Sequence, residues 1–202
     1  MTDHYYSQEP VSRHDEQNIK AWIGKREYDF YTDAGVFSKG RVDFGSCLLV
    51  ETFLKHFPQL DEVNILELGS GYGPIALSLS DHYPKAQVLG VEINQRAYEL
   101  AKVNQQKLGL GNCHFELGDA CQVELELSYD FVLTNPPIRA GKQVIQSFVK
   151  QAHHYLKPEG QLWLVIQKKQ GAPSMQDFME EIFDQVERVD RDKGYWILMG
   201  QK

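Results

Sequence analysis

The sequence predicts an α/β fold: a doubly wound, mainly parallel sheet of seven strands with an antiparallel last strand, preceded by a short N-terminal β-hairpin. Three observations predict it. From residue 63 onward, short apolar runs alternate with segments of helical period, the signature of strand–helix units with helices on both sheet faces. The run Ile65-Leu66-Glu67-Leu68-Gly69-Ser70-Gly71-Tyr72-Gly73 passes from apolar residues into alternating glycines, and Pro74, Ile75, Leu77 and Leu79 follow. That order reads as a buried strand, a tight turn and a helix start. The last two apolar stretches flank Asp192-Lys193-Gly194, a turn signal for a closing antiparallel pair.

Taken in order, residues 1 to about 16 read as a polar tail, with Tyr5-Tyr6 and Pro10 as anchoring points. Residues 18–23 and 27–32 alternate in polarity around Gly24-Lys25-Arg26 and predict the hairpin. Residues 36–46, with glycines, two cations and Asp43, read as a loop leading into a helix from Cys47 to Phe57. Strands are expected at 63–68, 87–92, 114–117, 129–134, 161–167, 186–190 and 195–199. Helices are expected at 74–83, 95–108, 141–156 and 174–183; Gly109 stops one, and Pro158 with Gly160 stops another. The chain divides into an extension, 1–35, and one domain, 36–202.

Composition narrows the function classes. With 42% hydrophobic and 24% charged residues, the chain has the make-up of a soluble globular domain. No apolar run is long enough to span a membrane. The first twenty residues are polar and unlike a secretory signal. Cys47, Cys113 and Cys121 form no C-x-x-C pair and are expected as reduced thiols of a cytoplasmic protein. The histidines show no metal-ligand spacing, so no metal is expected. A net charge of −7 argues against a general nucleic-acid coat, so any nucleic-acid substrate must be held by a local basic patch or as a structured target.

The glycine turn then selects its ligand. No segment matches G-x-x-x-x-G-K-[ST], and Pro74 occupies the third slot of a dinucleotide fingerprint. A pyrophosphate at the helix start would also face Glu67, a like charge. S-adenosylmethionine, a net cation, meets the opposite situation. Glu67, Glu92 and Asp119 each fall at a predicted strand end, where ligands of such sheets bind. Glu92 lies about twenty residues past the glycines, the spacing of an acid that holds ribose hydroxyls.

Thr134-Asn135-Pro136-Pro137-Ile138-Arg139 follows the fourth predicted strand. The two prolines fix φ and remove backbone donors, so the chain leaves the strand rigid and extended. Fixed acceptors at the Asn135 side chain and the Pro136 carbonyl suit a planar amine. They accept hydrogen bonds from both of its N–H groups and turn its lone pair toward a methyl donor, which is catalysis by orientation and electrostatics with no strong base.

Together these segments resemble a class I S-adenosylmethionine-dependent methyltransferase with a Rossmann-like sheet. Residues 36–171 are similar to the small "MTS" family of ribosomal RNA guanine-N2 methyltransferases. The carrying segments are Val36-Phe37-Ser38-Lys39-Gly40, Asp43-x-Gly45-Ser46, Glu67-Leu68-Gly69-Ser70-Gly71-Tyr72-Gly73, Asn135-Pro136-Pro137-Ile138-Arg139-Ala140-Gly141-Lys142 and Gln167-x-Lys169-Gln170-Gly171. The resemblance implies a cofactor set of Phe37, Lys39, Gly40, Asp43, Glu67, Gly69, Ser70, Gly71, Gly73, Glu92, Ile93, Asp119, Ala120 and Asn135. Within it, Glu92 serves the ribose and Asp119 with Ala120 the adenine. Asn135, Pro136 and Pro137 carry catalysis, and the 37–43 loop closes over the cofactor.

The resemblance also marks departures. Larger members carry an extra N-terminal domain, where this sequence has only about thirty-five residues. Many amino-group methyltransferases place Tyr or Phe after N-P-P, and Ile138 stands here; base stacking is then expected from Arg139 or Phe37. Lys39, Arg41, Arg139, Lys142, Lys168 and Lys169 are expected to gather at the carboxyl edge of the sheet and contact phosphates, with Ile138, Arg139, Lys142, Lys168 and Lys169 as the substrate set. The expected reaction is methyl transfer to an exocyclic amine, guanine N2 of small-subunit ribosomal RNA. The alternatives are a protein-glutamine methyltransferase, a non-catalytic cofactor- or RNA-binding module and, more remotely, a dinucleotide oxidoreductase.

Overall fold

A computed structural model describes residues 13–202; Tyr5-Tyr6 and Pro10 lie outside the described residues. The chain begins with an antiparallel hairpin, β1 (Gln17–Ile23) and β2 (Arg26–Thr32), closed by Gly24-Lys25. Gly24 takes φ +63°, and a Cβ there would stand 3.3 Å from Leu54, so the tight turn needs glycine. Alternation sends Ile19, Ile23, Tyr28 and Phe30 inward, where they join the main apolar core. The Phe30 ring stacks on Tyr28 and meets Tyr72 edge-on.

The seven-stranded sheet runs in the order β5-β4-β3-β6-β7-β9-β8. Its strands are β3 (Asn64–Leu68), β4 (Gln87–Glu92), β5 (Cys113–Leu117), β6 (Tyr129–Thr134), β7 (Leu156–Gln167), β8 (Gln185–Asp192) and β9 (Tyr195–Gln201). The pairs from β5 through β7 are parallel, and β9 runs antiparallel to both of its neighbours. This is the mixed Rossmann-like sheet the sequence predicts. The helices are α1 (Phe44–His56), α2 (Pro74–His82), α3 (Gln95–Leu108), α4 (Lys142–Tyr155) and α5 (Ala172–Glu180). The first three and the hairpin cover one face; α4 and α5 cover the other. Among the described residues no helix is long and apolar enough to cross a membrane.

Several boundaries shift for local reasons. Helix α1 starts at Phe44, ahead of the expected Cys47, because the Asp43 carboxylate caps it by accepting the Gly45 and Ser46 amides. Strand β7 starts at Leu156, which pairs with Tyr129; the register shift between Tyr129 and Phe131 takes up Pro158 to Gly160, expected to separate helix from strand. Helix α5 starts at Ala172, after Gly171 at φ 104°, and ends before the expected Phe183.

Strand order reverses between β3 and β6, which opens a crevice at their carboxyl ends. The hairpin is fastened near that crevice. Asn104 on α3 accepts the Tyr31 amide and donates to the carbonyls of Tyr31 and Tyr72. The segment after β2 is tied down as well: Asn94 donates to the Gly35 carbonyl and Arg96 to the Ala34 carbonyl.

Because Phe30 is fully buried, Phe30→Ala is expected to cost about 3–5 kcal/mol of stability. Trp22 points outward from the same hairpin and is 64% exposed; Trp22→Ala is expected to cost under about 0.5 kcal/mol. Urea unfolding of both variants checks the pair, and equal losses would mean the hairpin does not fold as part of the core.

Candidate active site

The glycine turn is held at the head of the sheet by Gly69 and Ser70, whose amides both donate to the Val91 carbonyl at 2.9 and 3.0 Å. Gly71 and Gly73 then adopt φ +57° and +97°. A Cβ on Gly73 would lie 2.8 Å from Leu77 and 3.0 Å from Phe115, so turn and helix close only around glycine. Pro74 follows as the first helical residue, a position where its missing N–H costs nothing.

Two carboxylates brace this turn from inside. Glu67 Oε2 accepts the Ala76 amide at 2.8 Å. Glu92 Oε2 accepts the Gly71 amide at 2.7 Å and its Oε1 the Asn94 amide at 2.8 Å. Both side chains are buried. Burial pushes the Glu67 carboxyl well above the usual range; the Ala76 amide opposes it and the charge of Glu92 adds to it. Burial also raises Glu92 against the backbone bonds that favour its anion. Among the described residues no lysine or arginine pairs with either one. The floor of the site therefore holds two acidic groups that no lysine or arginine among the described residues pairs.

Above it lies a cavity of about 270 Å³, lined by Glu67, Gly69, Ser70, Gly71, Tyr72, Glu92, Ile93, Asp119, Ala120, Phe37, Asp43 and Asn135 to Pro137, among others. The Ser70 hydroxyl and the Tyr72 phenol are buried there with no hydrogen-bond partner. Buried hydroxyls without partners are costly, and a polar ligand in the cavity answers them. Asp119 accepts the Cys121 amide at 2.8 Å, which holds its side chain at the wall. An elongated, polar, cationic ligand fits this donor set; a polyanion does not.

A second cavity of about 370 Å³ adjoins the first and is lined by Val36, Phe37, Ser38, Asp43, Asn135, Pro136, Ile138, Arg139, Gln167, Gln170 and Tyr195. Phe37, Ser38, Asp43, Asn135 and Pro136 belong to both linings, so they mark the junction. Asn135 Nδ2 donates to Asp43 Oδ2 at 3.0 Å and to Ser46 Oγ at 2.9 Å.

Of the residues expected from sequence, Lys39, Gly40, Arg41, Gly73, Lys142, Lys168 and Lys169 line neither cavity. Lys39 pairs with Asp15 on the surface, and Gly73 acts through the backbone as the cap of α2. Lys168 and Lys169 lie in the short turn between Gln167 and Gln170, both at the second cavity. Sequence reasoning missed Ser46, Tyr72, Cys121, Val144, Phe148, Gln167, Gln170 and Tyr195 as lining residues. Ser46, Tyr72, Gln167 and Gln170 stand inside motifs already singled out. Tyr195 comes from the far hairpin, and nothing local in the sequence announces it.

A switch-point crevice, a glycine turn over two buried acids and an adjoining second cavity define an S-adenosylmethionine-dependent methyltransferase. The chain belongs to the Methyltransferase small domain family, whose match covers residues 27–199. It is 40% identical over 203 residues to YbxB of Bacillus subtilis (strain 168), an uncharacterized protein, with 100% of each covered. It is 35% identical over 140 residues to ribosomal RNA small subunit methyltransferase C of Hahella chejuensis, covering 67% of this chain and 39% of that one. Among solved structures, the T. thermophilus 16S rRNA N2 G1207 methyltransferase in complex with AdoMet and guanosine superposes with TM-score 0.84 at 28% identity, over 96% of this chain and 52% of that one. The chain thus spans about half or less of the length of these two methyltransferases. Its methyl donor is S-adenosylmethionine, and it is related to ribosomal RNA guanine-N2 methyltransferases.

Raised carboxyls favour the protonated fold, so their stability contribution is full below the ordinary carboxylate range and is lost as pH rises toward their folded values. Glu67→Gln keeps an acceptor for Ala76 without the charge. It is expected to raise the melting temperature of the cofactor-free protein by a few degrees, more at about pH 8 than at about pH 5, and to weaken S-adenosylmethionine binding. Thermal melts and calorimetry read both; a variant less stable at the higher pH would contradict the assignment.

Proposed function

We propose that this protein methylates an exocyclic amine, guanine N2 of small-subunit ribosomal RNA. The observation that carries the reading is the Asn135 side chain at the junction of the two cavities, with its nitrogen turned away onto Asp43 and Ser46. Its oxygen is then the end offered to an incoming amine. The 16S rRNA guanine named for the T. thermophilus relative, bound there with guanosine, supports this choice of acceptor.

When bound, S-adenosylmethionine supplies a methyl on a positively charged sulfur. Glu67 and Glu92 favour that positive charge in the first cavity, and the unpartnered Ser70 and Tyr72 hydroxyls gain partners. Asn135 Oδ1 and the Pro136 carbonyl accept hydrogen bonds from the amine N–H groups, which draws the nitrogen lone pair out of the ring and aims it in line. Pro136 and Pro137 keep both acceptors rigid. Phe37 and Tyr195 offer ring faces to a flat base in the second cavity, in place of the aromatic that Ile138 replaces. Arg139 lines that cavity, and Lys142, Lys168 and Lys169 lie outside it, positioned for flanking phosphates. Residues 36–202 form the catalytic unit with 1–35 as its extension. A ribosomal substrate places the work in the cytoplasm.

The test is transfer of labelled methyl from S-adenosylmethionine to isolated small ribosomal subunits lacking the modification. Label released by nuclease and recovered as N2-methylguanosine is the expected result. Label released only by protease would make a protein amide the substrate. Asn135→Ala is expected to lower turnover by about two to three orders of magnitude while calorimetric cofactor affinity stays within about threefold. Wild-type turnover in that variant would remove the mechanism.

A further inference from the structure

In the sequence motif Asp43-x-Gly45-Ser46, Asp43 and Ser46 line the first cavity and also reach Asn135. The geometry points to a positioning clamp: Asp43 and Ser46 set the orientation of the Asn135 carboxamide, so that the cap of one helix aims the acceptor of the reaction. This rests on the reading of Asn135 as the residue that receives the amine.

Asp43 Oδ2 accepts from three donors. They are the Gly45 amide at 2.9 Å, the Ser46 amide at 3.3 Å and Asn135 Nδ2 at 3.0 Å. A carboxylate only accepts, so the amide end facing it must be the nitrogen. Ser46 Oγ receives the same nitrogen at 2.9 Å, and Ser46 is itself buried. With both amide protons committed, the carboxamide cannot flip without losing two hydrogen bonds. Its oxygen is left for the cavity junction.

Each motif position has a part in this. A Cβ on Gly45 would come within 2.8 Å of Asp43 Oδ2 and 2.9 Å of the Tyr195 ring, so only glycine admits the carboxylate and the ring together. Asp43 leads α1 as its cap, with backbone at φ −62° and ψ 140°. The helix, packed by Leu48, Leu49 and Phe53 into the core, anchors the clamp from behind. Asn135 leaves β6 about ninety residues later in the chain. The contact therefore joins the loop before α1 to the end of the central sheet.

The clamp separates from a purely structural cap through substitutions that treat the two tasks differently. Asp43→Ser preserves helix capping, since serine caps as well as aspartate, but its shorter side chain does not reach Asn135. Asp43→Asn retains an oxygen acceptor at the same reach. The Asn135 side-chain amide is assigned by its absence from the nitrogen–proton spectrum of Asn135→Ala. Its hydrogen exchange is followed in each cofactor-free variant, together with kcat and KM.

In Asp43→Ser the Asn135 amide is expected to exchange about tenfold faster or more, and kcat to fall by about ten- to a hundredfold. KM for S-adenosylmethionine is read alongside, since Asp43 also lines the first cavity, and the melting temperature stays within a few degrees. Asp43→Asn restores most of both signals. Ser46→Ala leaves the cap untouched and is expected to show a smaller loss of the same kind. It carries the test if Asp43→Ser folds poorly.

Wild-type exchange and kcat in Asp43→Ser would overturn the clamp. So would an Asp43→Asn variant as impaired as Asp43→Ser, because charge rather than hydrogen bonding would then be at work. Full turnover in Asn135→Ala would instead sink the proposed role of Asn135. The exchange measurement decides the clamp by itself.

Discussion

Everything at the head of this sheet depends on two carboxyl groups kept inside with no counter-cation among the described residues. Glu67 and Glu92 are held by the Gly71 and Ala76 amides of the turn and helix that follow β3, and Glu92 also by the Asn94 amide that follows β4. Amide bonds stabilise an anion but do not neutralise it. The fold therefore carries an electrostatic cost that a cationic ligand relieves. The same bonds shape the glycine turn, so the charge that selects the ligand and the backbone that receives it are one arrangement. This is why a net-cationic methyl donor suits a crevice that in other doubly wound sheets takes phosphates.

Around that floor the chain distributes its tasks by element end. The carboxyl ends of β3, β4 and β6 supply Glu67, Glu92 and Asn135. The loop before α1 supplies Phe37, Ser38 and Asp43, and the first residue of β9 is Tyr195. Loops carry the contacts while strands set their spacing. The N-terminal hairpin takes part without lining either cavity. Its Phe30 and Tyr28 pack into the core, and Asn104 ties it to the carbonyl of Tyr72 in the glycine turn. The hairpin is in this sense a brace for the turn.

The charge distribution follows the same division. The interior of the site is acidic, whereas Arg139 stands at the second cavity and Lys168 and Lys169 lie in a turn beside it. A negatively charged chain can hold a phosphate-bearing substrate if its cations are local to the mouth. Lys39, grouped with them from sequence, instead pairs with Asp15.

The sequence by itself determined the order of strands and helices, the glycine turn, the acids at strand ends and the rigid Asn-Pro-Pro exit. These are legible because they rest on local rules: hydrophobic period, proline and glycine dihedrals, and spacing along one strand–helix unit. Helices such as Gln95–Leu108 and strands such as Tyr129–Thr134 fall where their periodicity places them. Only the tertiary structure decided what each acid touches. Glu92 braces Gly71, Asp43 meets Asn135, and Tyr195 arrives at the second cavity from the far end of the chain. Those contacts join residues far apart in the chain, through hydrogen bonds and packing whose partners no local pattern encodes. The start of β7 at Leu156 has the same origin, since it is pairing with Tyr129 that makes it a strand.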